Sequence, residues 1–128
     1  MIRTMMVFGA VAVILVTMVF TPAWAGPGKR YDPTTMTLRQ LTFGNLRAGY
    51  KIFRESCKNC HHRGNSEGAR FLHTESKTMR GWNRVFYEHR PRCFQDGKWR
   101  GLSGADLLKL NDYLFSSAFD AQNVSCFI

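Results

Sequence analysis

The stretch AGYKIFRESCKNCHH, residues 48–62, joins a helical pattern to two cysteines and two adjacent histidines. Apolar and small residues before the first cysteine recur at intervals of three and four, as expected for one face of an α-helix. We therefore predict a helix over residues 45–57, with Asn45 as its N-cap, that runs directly into the cysteine pair. The positions on the shared face are Leu46, Gly49, Tyr50, Phe53 and Cys57.

Three chemistries compete for Cys57, Cys60 and His61. A thioredoxin-like C-x-x-C usually follows a strand and opens a helix, but this pair ends a predicted helix. A structural zinc ion needs four ligands and usually a second spaced pair; His62 and His73 are available, but no such pair exists. C-x-x-C-H is the attachment signature of c-type haem, since one turn of chain brings two sulfurs to two vinyl groups and a histidine to the iron. The motif therefore favours one covalently bound haem c.

In its motif and flanking helices the chain resembles the class I cytochrome c family, over residues 45–120. AGYKIFRESCKNCHH is similar to that family's first helix, in which a glycine and an aromatic residue four positions later precede the motif. These are Gly49 and Phe53 here. LSGADLLKLNDYLF, from Leu102, resembles the closing helix, which in the family crosses the first helix near that glycine. The resemblance makes Tyr113 the candidate for the aromatic residue packed at the crossing.

This resemblance also implies the fold and the site. The implied fold is mostly α, a cytochrome c-like bundle of about three to four helices around one covalently attached haem. Cys57 and Cys60 are the implied thioether sites, and His61 is the implied proximal iron ligand. The adjacent His62 is expected to face solvent.

Two further segments show a helical pattern. SKTMRGWNRVFYEHRP, residues 76–91, is expected to end before Pro91, because the residue before a proline disfavours the helical conformation. LSGADLLKLNDYLFSSAF, residues 102–119, opens with Ser103 and Asp106, which approximate a capping box. No segment alternates convincingly with the period of a β-strand.

The start of the chain predicts export. A basic start is followed by an apolar run without charges from Met5 to Phe20, and small residues precede Gly26, as in a secretory signal peptide. The run is shorter than the roughly 20 residues that span a bilayer as a helix. We therefore expect cleavage after Ala25, with an uncleaved anchor as the alternative. The predicted organisation is a signal peptide at 1–25, an irregular basic arm at 26–41 and a cytochrome c-like haem domain at 42–128.

The predicted mature chain is strongly basic. It has 17 Lys and Arg against nine Asp and Glu, a net charge of +8, which favours an acidic partner or an anionic lipid surface. The sequence contains no recognition motif for nucleic acid. Basic residues near the motif would either steer an acidic redox partner or form a solvated face, and they are Lys51, Arg54, Lys58, Arg63 and Arg70.

The sixth iron ligand is not set by the sequence. The family usually supplies a methionine between the middle and closing helices, and this chain has none there. Met79 matches the ligand type and is the first candidate, and His89 is the runner-up. These two residues share one helix face but lie about 15 Å apart along it, so only one can reach the iron. The remaining candidates are His73, Cys93 and an open site.

Two cysteines remain outside the motif, Cys93 and Cys126. We predict a disulfide between them, because exported cysteines tend to be oxidised. The bridge would close a loop of about 34 residues and contribute roughly 3–4 kcal/mol. Free thiols, an intermolecular bridge or iron ligation by Cys93 are the alternatives.

Together these features favour a periplasmic monohaem c-type cytochrome that carries single electrons and is not an enzyme. One alternative is a haem subunit docked in a larger respiratory membrane complex, with residues 29–41 as a docking element. A second is a haem enzyme or gas sensor with an open sixth site, although no recognisable distal acid–base pair is present. Membrane association is expected if the signal stays uncleaved.

Overall fold

The computed structural model describes residues 28–89 and 91–121. This part of the chain has three helices of ten or more residues, one short helix and a two-stranded sheet. The prediction of a mostly helical domain is confirmed. In chain order the elements are β1 (Lys29–Asp32), β2 (Thr37–Gln40), α1 (Phe43–Ile52), a π-helical turn (Phe53–Cys57), a 3-10 turn (Thr74–Ser76), α2 (Met79–Glu88), α3 (Arg92–Gln95) and α4 (Gly104–Ser116).

The segment 26–41, predicted to be an irregular arm, contains a β-hairpin. Strands β1 and β2 pair antiparallel, with Arg30 opposite Arg39 and Tyr31 opposite Leu38. Three of the four charged residues of the strands face inward and both apolar residues face outward, which reverses the usual alternation of a half-buried sheet. The prediction of irregular structure is therefore wrong for both strands. Sequence reasoning missed them because it looks for apolar residues on the buried face, and here the buried face is charged.

Buried ion pairs fasten the hairpin to α4. Arg30 Nε lies 2.6 Å from Asp112 Oδ1, and Arg39 donates to the two oxygens of Asp112 at 3.0 and 2.7 Å. The side chains of Arg30, Asp32 and Asp112 are fully buried. Burying charges is costly unless they are paired, and here two arginines balance two aspartates. The hairpin is therefore held in one position on the domain.

Asn83 connects the same network to α2. Its Oδ1 accepts from Arg30 at 3.1 Å and from Asn111 at 3.2 Å. Its Nδ2 donates to the backbone carbonyl of Tyr31 at 3.3 Å. The hairpin consequently bridges α2 and α4.

Short hydroxyl side chains cap the longer helices. Thr42 caps α1 by accepting from the Asn45 N–H at 3.3 Å, so the cap lies three residues before the predicted one, Asn45. Thr78 caps α2 in the same way. The predicted capping box of α4 is confirmed, because Ser103 Oγ accepts from the Asp106 N–H and Asp106 Oδ2 accepts from the Ser103 N–H, both at 3.1 Å.

Helices α1 and α4 cross at Gly49, as the resemblance implies. A Cβ built on Gly49 would lie 2.6 Å from the Tyr113 Cβ and would also collide with the Lys109 carbonyl, so only glycine fits. The Tyr113 ring packs here against Tyr50 and Phe53, with ring centroids 5.6 and 5.9 Å apart. The predicted crossing and its aromatic residue are confirmed.

A small apolar core is formed by residues of α2 and α4 and of the turns that follow α1 and α4. The Trp82 indole N–H donates to the Thr74 carbonyl at 2.7 Å, which ties α2 to the loop before it. On α2, Trp82 and Phe86 are both buried. The buried apolar residues are Phe53, Cys57, Trp82, Phe86, Leu110, Leu114, Ala118 and Ala121.

Two predictions fall outside the described residues. The signal peptide at 1–25 is one, and the disulfide between Cys93 and Cys126 is the other, because Cys126 is not described. Among the helices within 28–89 and 91–121, none has the length and hydropathy needed to cross a membrane.

Candidate haem-attachment site

The C-x-x-C-H motif folds into one closed turn after α1. The Lys58 N–H donates to the Phe53 carbonyl at 3.0 Å, which is the hydrogen-bond spacing of a π-helical turn. The N–H groups of Cys60 and His61 then both donate to the Cys57 carbonyl, at 3.3 and 2.9 Å. The backbone thus carries two thiols and an imidazole on a single turn.

A backbone carbonyl fixes the His61 ring. His61 Nδ1 lies 2.7 Å from the Arg70 carbonyl oxygen. Because a carbonyl only accepts hydrogen bonds, Nδ1 carries a proton, which in the neutral ring leaves the lone pair on Nε2. Histidines that bind metals usually hold their second ring nitrogen in this way. The geometry therefore suits Nε2 as a metal ligand.

The loop that supplies this carbonyl is bonded back to the motif. The Leu72 N–H donates to the His61 carbonyl at 3.1 Å, and Lys58 Nζ donates to the Leu72 carbonyl at 2.8 Å. Asn65 shapes the loop, since its Oδ1 accepts from the Ala69 N–H at 3.0 Å and its Nδ2 donates to the Ala69 carbonyl at 2.7 Å. These contacts hold the Arg70 carbonyl behind the imidazole.

Some of the basic residues predicted to steer a partner take part in this loop instead. Lys58 Nζ lies 4.1 Å from the centroid of the Phe71 ring, and the Arg63 guanidinium lies 4.8 Å from it. Both contacts have the geometry of cation–π interactions. The set of basic side chains left for steering is therefore smaller than the sequence predicts, and its exposed members are Lys51, Arg54 and Arg70.

The two motif thiols differ in environment, and a third thiol lies near them. Cys57 is buried, whereas Cys60 is half-buried. Burial, followed by the neighbouring thiols of Cys93 and Cys60, raises the pKa of Cys57 to about 12, so this thiol is protonated at neutral pH. Burial also raises the pKa of Cys93, although hydrogen bonds with the backbone of Phe94 and of Cys93 itself, and with the Trp99 side chain, work against it. The structure thus brings Cys93 into the electrostatic surroundings of the motif.

The other candidates for the sixth iron ligand occupy different environments. Met79, the first residue of α2, is half-buried against the core, and its N–H donates to Asp120 Oδ1 at 2.7 Å. His89 ends α2 in the left-handed conformation, with an exposed ring 4.3 Å from that of Phe94. His73 is also exposed. Met79 as distal ligand, with His89 as runner-up, stays a prediction.

Sequence reasoning missed two features of the site. One is the Arg70 carbonyl behind His61, which gives no sequence signal because every residue has a carbonyl. The other is the position of Cys93, which we predicted from the sequence chiefly to be the disulfide partner of Cys126. Its nearness to Cys57 depends on how the short helix α3 packs, and no local pattern encodes that packing.

Comparisons with protein-family models, with curated proteins and with solved structures give no match to this chain. The residues on the motif turn fit a covalently bound haem by their own chemistry. Cys57 and Cys60 supply two thiols beside an apolar core, and His61 presents Nε2 with its other nitrogen already bonded. Such a set of donors is suited to thioether attachment and axial ligation of one iron.

Proposed function

We propose that this protein is an exported monohaem c-type cytochrome that carries single electrons. Haem c would be bound by Cys57 and Cys60, with His61 as the proximal ligand, and it would supply an iron that alternates between two oxidation states. The observation that carries the proposal is the 2.7 Å contact between His61 Nδ1 and the Arg70 carbonyl. A partner of this kind fixes the ring and increases the basicity of Nε2.

The chain around the motif supports this function by its rigidity. An electron carrier works best when its site moves little between oxidation states. The crossing of α1 and α4 at Gly49 fixes one side of the motif, and the loop shaped by Asn65 fixes the other. The protein's own part is thus to orient the imidazole and to keep water away from the core side of Cys57.

A protein with an acidic docking surface is the proposed redox partner. A groove of about 450 Å³ beside α1 is lined by three cations, Arg47, Lys51 and Arg54, and by one carboxylate, Glu55. These three exposed cations make no ion pair with any residue in the described ranges, unlike Arg30 and Arg39. Exposed cations on one face attract carboxylates over a long range.

Expression with the chain's own leader, in a host that attaches haem to C-x-x-C-H motifs, tests the proposal. We expect the protein to be recovered from the periplasm, lacking residues 1–25 and carrying the added mass of one haem that survives denaturation. Replacing Cys57 and Cys60 by serine together should abolish that added mass. A folded, exported protein without porphyrin mass would refute the proposal.

The pair of adjacent histidines gives a matched control for the proximal ligand. His61→Ala should change the optical spectrum of the iron strongly, because it removes the proposed proximal ligand, whose ring the Arg70 carbonyl orients. His62→Ala should leave the spectrum unchanged, because that ring is exposed and its Nδ1 lies 2.9 Å from the neighbouring Arg63 carbonyl. Equal effects of the two changes would contradict the assignment.

The sixth ligand can be identified on the same material. A far-red sulfur-to-iron absorption band that is lost in Met79→Ala would identify Met79, and a band that persists would exclude it. Loss of the band in Cys93→Ala would instead identify the thiol that lies near Cys57. Rapid binding of carbon monoxide to the reduced protein would indicate an open site and favour a gas-binding or enzymatic role over electron transfer.

A further inference from the structure

The outer face of the β-hairpin exposes apolar side chains on a rigid support. Tyr31 and Leu38 face each other across the strands and are 54% and 72% exposed, and Met36 in the connecting turn is 77% exposed. The inner face is locked onto the domain by Arg30 and Arg39. A hairpin that needed only to be soluble would place its charges outward. The apolar residues are therefore available to contact a partner molecule or a surface outside this domain.

Met36 provides an independent observation. Its backbone has a φ of 53°, in the left-handed region that a long side chain occupies only at a conformational cost. The turn itself is shaped by Asp32, whose carboxylate accepts from the Thr34 N–H at 3.0 Å and from the Thr35 hydroxyl at 3.2 Å. The backbone at Met36 is strained, and the side chain buries little. Strain that gains no packing is a mark of a functional position.

The chemistry of this face fits a lipid bilayer. It combines tyrosine, methionine and leucine with Lys29, while the one acidic residue of the strands, Asp32, lies on the inner face. Tyrosine and lysine favour the headgroup region, and leucine and methionine favour the acyl chains. The net charge of +8 on the mature chain adds attraction to anionic headgroups.

The position of the hairpin in the chain agrees with this chemistry. Lys29 follows Phe20, the last residue of the apolar leader run, by nine positions. While the leader is in the membrane, the hairpin therefore stays within about 30 Å of the bilayer. The hairpin, which is the first element of the described part of the chain, is thus an element that exposes apolar side chains.

We propose that the outer face of the hairpin, formed by Tyr31, Met36 and Leu38, is a docking surface for a bilayer that contains anionic lipid. The contact holds the mature protein at the membrane surface after the leader has been removed. This inference rests on the exported location proposed above and not on the cofactor.

Sedimentation with phosphatidylglycerol-containing vesicles tests the docking surface, using the mature chain from Gly26 with the cofactor that it carries. We expect the parent protein to sediment with the vesicles. Leu38→Ser should weaken binding about tenfold, the order of effect expected for loss of one inserted apolar side chain. Phe119→Ser is the control, because it removes a different exposed apolar side chain outside the hairpin, 68% exposed, and should bind like the parent.

Met36→Asn separates docking from folding. Asparagine tolerates the left-handed conformation, so this variant should melt at the same temperature as the parent or higher while binding vesicles about tenfold less tightly. A parent that does not bind vesicles, or hairpin variants that bind as tightly as the parent, would overturn the proposal. A parent dimer that Met36→Asn dissociates would assign the face to a second copy and would overturn it as well. Because no readout involves the haem, this proposal and the proposed function fail separately.

Discussion

The contacts that hold the motif turn and those that hold the β-hairpin join residues at very different separations in the sequence. Around the motif, His61 bonds to a carbonyl nine positions away, and Lys58 to one 14 positions away. The hairpin depends on Arg30 and Asp112, which are 82 positions apart. Short-range contacts follow from local spacing, whereas a pairing of distant charges becomes visible only in the folded chain. The two regions should therefore respond differently to substitution.

The largest effect is expected from Asp112→Ala, which breaks the long-range attachment of the hairpin. The change leaves the buried Arg30 without its main partner, and losing one member of a buried ion pair typically costs about 3–5 kcal/mol. Urea unfolding of parent and variant measures the free energy of unfolding. Arg84→Ala is the control, because the Arg84–Glu88 pair at 3.1 Å, in which Arg84 is exposed, should contribute about 0.5 kcal/mol or less. Similar small losses in both variants would show that the charges do not anchor the hairpin.

Gly49→Ala tests the crossing that supports the motif region. The new methyl group would overlap the Lys109 carbonyl and the Tyr113 Cβ, and overpacking of this kind costs about 1–3 kcal/mol. Gly44→Ala lies on the same helix with nothing within 4 Å of its added Cβ. It should therefore be neutral or stabilise the protein by up to about 1 kcal/mol. Thermal melts of the two variants give the comparison, and a Gly49→Ala protein as stable as the parent would exclude tight packing here.

A smaller effect is expected at alkaline pH from Tyr113 at the same crossing. Burial raises the pKa of Tyr113 above its ordinary value of 10.0, and the nearby Tyr50 raises it further. The fold favours the neutral phenol, so its stabilising contribution is complete below pH 10 and is lost as the pH rises through the raised pKa. Urea midpoints should fall more steeply above pH 10 in the parent than in Tyr113→Phe. Parallel curves would show that the phenol is not linked to folding.

The smallest effect is expected at the start of α4 in acid. Hydrogen bonds from the Ser103 hydroxyl and N–H lower the pKa of Asp106. The ionised carboxylate therefore stabilises the helix above the ordinary pKa of aspartate, and this contribution is lost as the pH falls through the lowered pKa. Ser103→Ala should reduce that acid-dependent part of the stability, measured by helical circular dichroism across the acidic range. An unchanged acid transition would exclude the contribution of the cap.

The predictable parts of the fold are those with local signals. The start of α4 was predictable because Ser103 and Asp106 form a recognisable capping pair. The crossing was expected from the family resemblance, which places a glycine at the position of Gly49. The cap of α1 was misplaced because Thr42 and Asn45 are both good N-caps and lie three residues apart. The hairpin was missed because its buried residues are charged.

The candidate site divides in the same way. Cys57, Cys60 and His61 stand out in the sequence because their spacing is specific, and the structure carries them on one closed turn. The carbonyl behind His61 and the approach of Cys93 depend on a loop and a short helix that return to the motif from further along the chain. Under the proposed function a sixth ligand would belong to the same group, since the choice among the candidates would depend on tertiary packing rather than on residue type.

In the folded chain the Cys57 sulfur is shielded by the core, with its thiol protonated. Under the proposed function this sulfur would hold the haem, so it would have to be accessible to the attachment machinery before α1 docks on α4. Haem attachment and folding would then compete for the newly exported chain. A chain that folds too quickly would escape loading, and the delay before the two helices meet would set the yield of finished protein.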